Sequence, residues 1–303
     1  MNFTEKYLKK CYLCPHKCGI NRINGEKGIC GAGLLPKVAL ASLHFWEEPC
    51  ISGTAGSGAV FFSHCNLSCV FCQNYKISQE GFGKEISIEQ LSKVFLNLQE
   101  KGASNINLVS ATQYIPQVAE ALLSAKKIGL TLPIIYNSNG YETIEALQLL
   151  YELIDVYLPD LKYESDYYSL VYSAAPDYFK CATSAILEMY RQVGNPVFNS
   201  DDLIQKGLII RHLILPGLQD DSKKVLDWIR NHISIEVPIS IMAQYTPVFK
   251  AESIKELNRR ITKREYENII DYFFEIGLET GYVQERSSAS SKYTPVFNLG
   301  GIE

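Results

Sequence analysis

The sequence has no apolar run near the roughly 18 residues that a membrane-spanning helix requires. Its first residues, MNFTEKYLKKCYLCPHKC, contain no apolar core of the kind that secretory signals carry. A net charge of −4 gives no electrostatic reason to expect nucleic acid or another polyanion as partner. With 47% hydrophobic and 20% charged residues, we expect a globular cytoplasmic protein without a membrane partner.

Cysteine is scarce beyond residue 72, where only Cys181 occurs, although the chain has nine cysteines in all. Thiols stay reduced in the cytoplasm, so an odd total, with eight of the nine cysteines in the first 72 residues, favours metal ligands over disulfides. Cys50 and Cys181 stand alone in the sequence, and we predict that they are buried structural thiols.

Short apolar runs alternate with amphipathic stretches from residue 59 onward, a rhythm that predicts βαβ units with parallel strands. We predict six core strands, at 59–62, 106–110, 132–138, 154–162, 207–217 and 237–245, and a short seventh near 282–286. Six strands are too few for an eight-unit barrel, so we predict an α/β fold, a partial (β/α)6 TIM-like barrel over residues 51–303. A flat doubly wound sheet is the alternative. Residues 1–50 lack the rhythm and are predicted to form a Cys-rich metal-binding module.

Polar residues follow the predicted strands. In either fold the carboxyl ends of parallel strands meet at one edge, where ligands bind. We therefore expect one functional rim that contains His64 and Cys65, Thr112 and Gln113, Asn137 and Asn139, Asp160 and Lys162, Arg211 and His212, and Gln244.

Cys65, Cys69 and Cys72 form a C-x3-C-x2-C loop directly after the first of these strands. Cysteine thiolates hold iron–sulfur clusters, usually four for each cluster. Three thiolates leave one iron of a [4Fe–4S] cluster open, and an open coordination position is typical of a reactive rather than a structural metal site. We predict that a substrate or cofactor completes the shell.

This spacing, with Phe71 before the last cysteine, resembles the signature of the radical S-adenosylmethionine (SAM) superfamily. The segments HFWEEPCISGTAGSGAVFFSHCNLSCVFCQNYKIS and RHLILPG resemble pyruvate formate-lyase activating enzyme-like iron–sulfur proteins, and that resemblance covers nearly the whole chain. It implies a partial (β/α)6 barrel, a [4Fe–4S] cluster on the three cysteines, and Phe71 near the adenine of bound SAM. The cluster would cleave SAM reductively to a 5′-deoxyadenosyl radical that abstracts hydrogen from a substrate.

Several partners fit that resemblance. It implies a one-electron donor such as flavodoxin or ferredoxin, and one version of the activity is activation of a glycyl-radical enzyme. Radical modification of a peptide, a metabolite or an RNA is an alternative. A non-enzymatic zinc-binding interaction protein is the alternative from another functional class.

The chain lacks the Gly-Gly-Glu-like segment that members of the superfamily often carry, and has LVSATQY instead. Ser110, Thr112 and Gln113 offer hydroxyl and amide groups for the same role, although Thr112 is also a candidate helix N-cap. Three further residues, Asn137, Ser138 and Asn139, suit the ribose or carboxylate of SAM, with a plain turn as the alternative.

Charged residues near the rim leave two interpretations each. Arg211 lies within an apolar strand and requires an anion, which the SAM carboxylate or a protein carboxylate would supply. The pair Asp160 and Lys162 would contact the cofactor or form an ion pair. His44, Glu47 and Glu48 would shape the substrate entrance or belong to a solvated loop.

Four more cysteines lie in the N-terminal segment, spaced C-x2-C-x3-C-x11-C. We predict that Cys11, Cys14, Cys18 and Cys30 bind a second metal, either zinc or iron–sulfur, since both accept four thiolates. His16 is a weaker ligand candidate because the four thiols already complete a shell.

Overall fold

The computed structural model describes residues 3–289 and 294–302. Residues 1 and 2 of the predicted module 1–50, and residues 290–293 and 303 of the predicted barrel 51–303, lie outside the described residues. Over those residues, the strands are β1 (Lys37–His44), β2 (Ser57–Phe62), β3 (Lys84–Glu85), β4 (Ile106–Val109), β5 (Ile134–Ser138), β6 (Val156–Pro159), β7 (Val197–Phe198), β8 (Ile204–Leu208), β9 (Ile210–Leu213), β10 (Ile239–Met242) and β11 (Gly281–Val283).

Helices alternate with most of these strands. They are α1 (Phe3–Leu8), α2 (Pro49–Ser52), α3 (Tyr75–Ser78), α4 (Ile88–Glu100), α5 (Ile115–Lys127), α6 (Ile144–Gln148), α7 (Asp166–Ser173), α8 (Tyr178–Val193), α9 (Gln219–His232) and α10 (Lys263–Glu275). No helix among the described residues is long and apolar enough to cross a membrane.

Parallel pairing runs through β2, β4, β5, β6 and β8, and a second parallel set contains β9, β10 and β11. A bridge between Asp160 and Arg211 continues the pairing from the end of β6 to β9. The predicted α/β class is confirmed, and the predicted seventh strand corresponds to β11. The predicted fifth strand differs, because the apolar run 207–217 is divided at Ile209 into β8 and β9.

Helix α4 shows how local sequence specifies an element of this fold. Ser87 and Gln90 form a reciprocal capping box that satisfies backbone donors at the amino end of the helix. Buried Leu91, Val94, Phe95 and Leu98 repeat at helical spacing, so one face of α4 packs against the sheet and the other meets solvent.

The amino ends of the barrel strands are closed by α2. Cys50 and Ile51 of this helix are buried among Ile135, Val156 and Leu158, and Asn105 donates its side-chain amide to the carbonyl of Ile51 at 2.7 Å. Cys50 is therefore the buried thiol that the sequence predicts, whereas Cys181 is half-buried. Because apolar packing fills this end, the accessible part of the interior lies at the carboxyl ends of the strands.

The Cys-rich segment packs against the barrel rather than standing apart from it. Strand β1, which lies within the predicted module 1–50, pairs antiparallel with β2 and shares its sheet. The hydroxyl of Thr143 donates to the carbonyl of Leu13 at 3.3 Å, and Arg22 donates to the carbonyl of Gln113 at 2.6 Å. These contacts hold the module beside the carboxyl ends of β4 and β5. The division of the chain at residue 50 stays a prediction.

Candidate active site

A cavity of about 260 Å³ opens at the carboxyl ends of the barrel strands. The predicted site residues that line it are His44, Glu47, Cys65, Cys69, Phe71, Cys72, Ser110, Asn137, Ser138, Asn139, Asp160, Lys162, Arg211 and Gln244. Parallel strands that end together explain why residues from such distant parts of the chain meet.

Each of the three loop thiols has a hydrogen-bonding neighbour. Cys65 Sγ accepts from the backbone N–H of Leu67 and from Asn139 Nδ2, both at 3.4 Å. Ser173 Oγ lies 3.0 Å from Cys69 Sγ, and Ser78 Oγ lies 3.2 Å from Cys72 Sγ. Donors aimed at sulfur stabilise thiolates, the form that ligates metals.

Burial raises the pKa of the Cys65 thiol to about 12 and that of the Cys69 thiol to about 11. The Lys162 ammonium acts in the opposite direction on the pKa of Cys69. Burial also raises the pKa of Cys72. Thiols with pKa values raised in this way become thiolates only if positive charge compensates them, and the iron of a cluster would supply that charge.

Phe71 is 6% exposed and lies at the cavity wall, where its ring meets Tyr245 edge to face at 5.9 Å between ring centroids. Tyr245 also lines the cavity, and its hydroxyl donates to the carbonyl of Leu257. This pair forms an apolar wall beside the three-thiol loop, which is suited to a planar aromatic base.

The predicted polar segment after β4 divides between two roles. Ser110 lines the cavity and has a φ of 58°, whereas Thr112 and Gln113 are absent from the cavity lining. Thr112 Oγ1 donates to Glu142 Oε1 at 2.7 Å, and Gln113 Nε2 donates to the carbonyls of Ser63, His64 and Ser110. The prediction that the side chains of Thr112 and Gln113 contact a cofactor directly is therefore wrong for this arrangement. Gln113 instead holds the cysteine loop to the end of β4.

The N-cap interpretation of Thr112 is also wrong. A short 3-10 helix begins at Thr112, and the residue at its N-cap is Ala111, without a side-chain cap. The rim positions predicted for His64 and His212 are likewise outside the cavity lining. His212 follows Arg211 on β9 and so points to the opposite face, where its ring bonds the carbonyl of Leu161 and the hydroxyl of Ser222.

The Asn137–Asn139 segment forms the predicted turn, and its contact with SAM stays a prediction. Ser138 Oγ accepts from the Gly140 N–H and Asn139 Oδ1 accepts from the Tyr141 N–H, which fixes the turn. Asn139 Nδ2 meanwhile donates to Asn66 Oδ1 at 2.7 Å as well as to Cys65. Asn139 thus orients the cysteine loop, while Asn137 lines the cavity.

The two charged groups of the rim are both paired inside the protein. Lys162 donates to Asp160, so the predicted ion pair is present, although it is buried at the cavity and close to Cys69. Arg211 donates Nε to Glu48 Oε1 at 2.8 Å and Nη2 to both Glu47 and Glu48. Protein carboxylates therefore satisfy Arg211, and the prediction of a solvated loop for the glutamates is wrong.

The N-terminal thiols form a second group whose members influence each other electrostatically. Cys11 and Cys14 are buried, and Cys18 and Cys30 are half-buried. Burial, and smaller contributions from the other three thiols, raise the pKa of Cys14. Within residues 3–289 and 294–302, no three His, Cys, Asp or Glu side chains converge closely enough to hold a single ion as they stand. Metal binding here stays a prediction.

The module touches the cysteine loop through His16. Its Nε2 lies 2.8 Å from the carbonyl oxygen of Asn66, the residue after Cys65, and its ring meets Tyr141 edge to face. His16 is occupied by this contact, in keeping with its weaker standing as a ligand.

Sequence reasoning missed four residues that act on the site. Ser78 is six positions beyond Cys72, at the end of α3, and its closeness in the sequence is the signal that could have found it. Asn66 was also within the loop. Ser173 and Glu142 carry no local signal, because only tertiary folding brings them to Cys69 and Thr112.

Comparisons with known proteins agree with this geometry. Residues 59–229 match the family model described as Radical SAM superfamily, a segment that includes all three loop cysteines. Uncharacterized protein MJ0674 of Methanocaldococcus jannaschii is 29% identical over 293 residues, which cover 93% of this chain and 79% of that protein. Uncharacterized protein MJ0808 of the same organism is 26% identical over 231 residues, 68% of this chain and 66% of that protein. The structure of Streptococcus suis SuiB bound to S-adenosylmethionine superposes with a TM-score of 0.50 and 11% identity, covers 73% of this chain and 48% of that one, and is similar in fold.

Proposed function

The chain belongs to the radical SAM superfamily, and we propose that it is an enzyme in which Cys65, Cys69 and Cys72 hold a [4Fe–4S] cluster beside a SAM site. Such a cluster with bound SAM supplies a 5′-deoxyadenosyl radical, which abstracts a hydrogen atom from a substrate. The observation that carries this proposal is that three half-buried thiols, each with a hydrogen-bonding neighbour, line one cavity at the carboxyl ends of the strands.

The donor set fits the cluster. The loop provides three thiols and no carboxylate or imidazole that lines the cavity between them, and thiolate is the ligand that iron–sulfur clusters require. Side-chain hydroxyls of Ser78 and Ser173 and the amide of Asn139 orient the sulfurs, as neighbouring residues do at metal sites.

The cavity also fits SAM. Phe71 and Tyr245 offer an apolar wall to the adenine, and Ser110 and Asn137 offer hydroxyl and amide groups to the methionine or ribose part. Arg211 is engaged by Glu47 and Glu48, so we assign the recognition of the SAM carboxylate to the amide and hydroxyl groups rather than to Arg211.

The substrate of the radical defines the finer function. Glycyl-radical activation of a partner enzyme is one version, supported by the resemblance of residues 44–78 to activating enzyme-like proteins. A peptide, a metabolite or an RNA are the other substrate classes. We also propose a cytoplasmic location, a one-electron donor such as flavodoxin or ferredoxin, and a second metal, zinc or iron–sulfur, on Cys11, Cys14, Cys18 and Cys30.

The test is SAM cleavage by the anaerobically reconstituted protein. We expect 5′-deoxyadenosine to form after reduction with dithionite and to disappear in Cys65→Ala, while Cys181→Ala removes a half-buried thiol outside both clusters and retains product formation. Product that persists without Cys65 would contradict the proposed mechanism. A protein that binds zinc alone and never cleaves SAM would support the zinc-binding interaction protein instead.

A further inference from the structure

A second cavity of about 370 Å³ lies beside the first, along β10 and β11. The two cavities share five lining residues, so they form adjoining compartments of one interior: Trp46, Glu47, Arg211, Met242 and Gln244. The second compartment holds none of the three loop cysteines in its lining. It is therefore a space beside the cluster site rather than part of the cluster site.

Negative charge exceeds positive charge where the two cavities meet. Arg211 is the single guanidinium between two carboxylates, and the side chains of Arg211, Glu47 and Glu48 are 11%, 9% and 5% exposed. The Arg211 guanidinium lowers the pKa of Glu48 although burial acts to raise it. Asp160 and Lys162 compensate each other nearby, and burial lowers the pKa of His44, which favours its neutral form. The group therefore carries a net charge of about −1 in a poorly solvated place, which is costly without a cation.

Unused hydrogen-bond acceptors lie at the same place. Ser240 lines the second cavity and is 1% exposed, and its Oγ accepts no hydrogen bond within the described part of the chain. Gln284 lines the second cavity, and its buried Oε1 also lacks a partner there.

We propose that this second cavity binds a primary ammonium group of the molecule on which the radical acts, an inference that rests on the proposed function. An ammonium group brings one positive charge and three donors and no acceptor. It compensates the excess carboxylate and supplies the donors that the Ser240 and Gln284 oxygens lack. An anionic group such as a phosphate would meet uncompensated carboxylate instead, so an amine-bearing substrate fits the site.

Binding of a matched pair of probes tests the proposal without radical chemistry. N-acetyl-lysine methylamide carries the ammonium, and N-acetyl-norleucine methylamide has a similar shape but no charge. Ligand-observed NMR with the anaerobically reconstituted, unreduced protein gives both dissociation constants. A charge-assisted hydrogen-bond network predicts that the lysine probe binds about tenfold more tightly. Equal affinities would overturn the proposal.

Variants locate that preference. Glu47→Gln leaves the pair of Glu48 and Arg211 neutral and is expected to remove most of the tenfold preference. Glu267→Gln makes the same chemical change in an exposed ion pair with Lys263 and is expected to retain it. If circular dichroism shows that Glu47→Gln does not fold, Gln284→Leu decides, because it removes one unused acceptor and should weaken binding of the lysine probe only. Retention of the full preference in the folded variant would overturn the proposal.

SAM also carries an amino group, so a second arm separates the two sources of ammonium. We expect the lysine probe to keep its affinity in the presence of saturating SAM. Loss of the preference under that condition would assign the acidic compartment to the cofactor and overturn the assignment to substrate. The binding measurements contain no reductant, so they do not depend on SAM cleavage. A protein that binds the lysine probe in this assay but forms no 5′-deoxyadenosine in the separate, reduced assay would contradict the proposed function alone.

Discussion

The two groups of cysteines are built in different ways. The N-terminal group is shaped by short-range backbone bonds, such as Cys11 N–H to Ile20 O and Gly19 N–H to Cys11 O, both at 2.9 Å. The loop group after β2 is oriented by side chains that are distant in sequence, since Ser173 is 104 positions from Cys69 and Asn139 is 74 positions from Cys65. Of the two groups, only the loop cysteines line the described cavities.

This contrast is the one expected between a reactive metal site and a structural metal site. Three thiols leave a coordination position open toward a cavity, and the barrel supplies the residues that hold them. Four thiols within twenty residues complete a shell by themselves and need no cavity. The comparison fits the SAM chemistry that we propose for the loop, and it predicts that the N-terminal group stabilises the module.

The largest expected effects come from removing one cysteine from each group in turn. Cys69→Ala should lower 5′-deoxyadenosine formation by at least about 100-fold, since loss of a ligand costs more than loss of a residue that orients one. Cys14→Ala should retain cleavage and lose the second metal, with a lower unfolding temperature, because metal binding contributes to folding. Product analysis, metal analysis and thermal unfolding measure the three quantities.

Equal loss of cleavage in both variants would break the comparison. It would mean that the N-terminal site takes part in the chemistry, for example by relaying electrons, and its metal would then be iron. If the zinc content falls only in Cys14→Ala and the iron content falls only in Cys69→Ala, the result would support separate roles for the two groups.

Much of the fold was predictable because hydrophobic periodicity reports it directly. Short apolar runs separated by amphipathic stretches located all six core strands and indicated their parallel pairing. The break between β8 and β9 at Ile209 was not predictable, because it falls within the apolar residues Leu208–Ile210 and no turn residue marks it. The structure shows a close approach there, since a Cβ on Gly207 would lie 2.5 Å from the Cα of Pro196.

The candidate site likewise has features that the sequence predicts and features that it does not. The spacing of Cys65, Cys69 and Cys72 is local, so the sequence alone indicates their role. The partners of Arg211 are 163 and 164 positions away, and no pattern along the chain chooses between them and a bound carboxylate. The direction of the Thr112 side chain depends likewise on Glu142, a tertiary neighbour.

The second prediction concerns a substitution that disturbs the N-terminal group without removing a cysteine. A Cβ on Gly28 would lie 2.7 Å from Cys18 Sγ, so Gly28→Ala must displace that sulfur. We expect metal affinity of the module to fall by about tenfold or more, as for other residues that orient metal ligands. Competition with a chromophoric chelator measures it. Gly33→Ala is the matched control, because its Cβ would meet only Glu85 Oε1 at an ordinary 3.4 Å. An unchanged affinity in Gly28→Ala would contradict metal binding at these thiols.

The third prediction concerns the barrel side of the contact between the two regions, where Glu142 precedes Thr143, the residue bonded to Leu13. Burial raises the pKa of Glu142 from 4.5 to about 7. Between these pH values the folded chain holds a proton that the unfolded chain has lost, so the free energy of unfolding falls as the pH rises through this window. Glu142→Gln removes this dependence, and the variant should gain about 2 kcal/mol relative to the original chain between pH 5 and pH 8.

Urea unfolding at the two pH values provides the measurement for Glu142. Glu145→Gln, a change at the exposed amino end of α6, serves as the control and should leave the pH dependence intact. A pH dependence that is identical in Glu142→Gln and the original chain would show that another group causes it.

The smallest expected effect separates the two groups by their electronic properties. The hydroxyl of Ser78 lies 3.2 Å from Cys72 Sγ and must donate when that sulfur is a thiolate ligand. A donor to sulfur favours the reduced, more negative cluster, so Ser78→Ala should lower the midpoint potential by about 40 mV if the bond contributes about 1 kcal/mol. Ser78→Thr keeps the hydroxyl and should retain the potential. Spectroelectrochemistry of the reconstituted protein follows the loop cluster, and the metal of the N-terminal group should respond to neither variant. A shift of equal size in Ser78→Thr would point to packing rather than to the hydrogen bond.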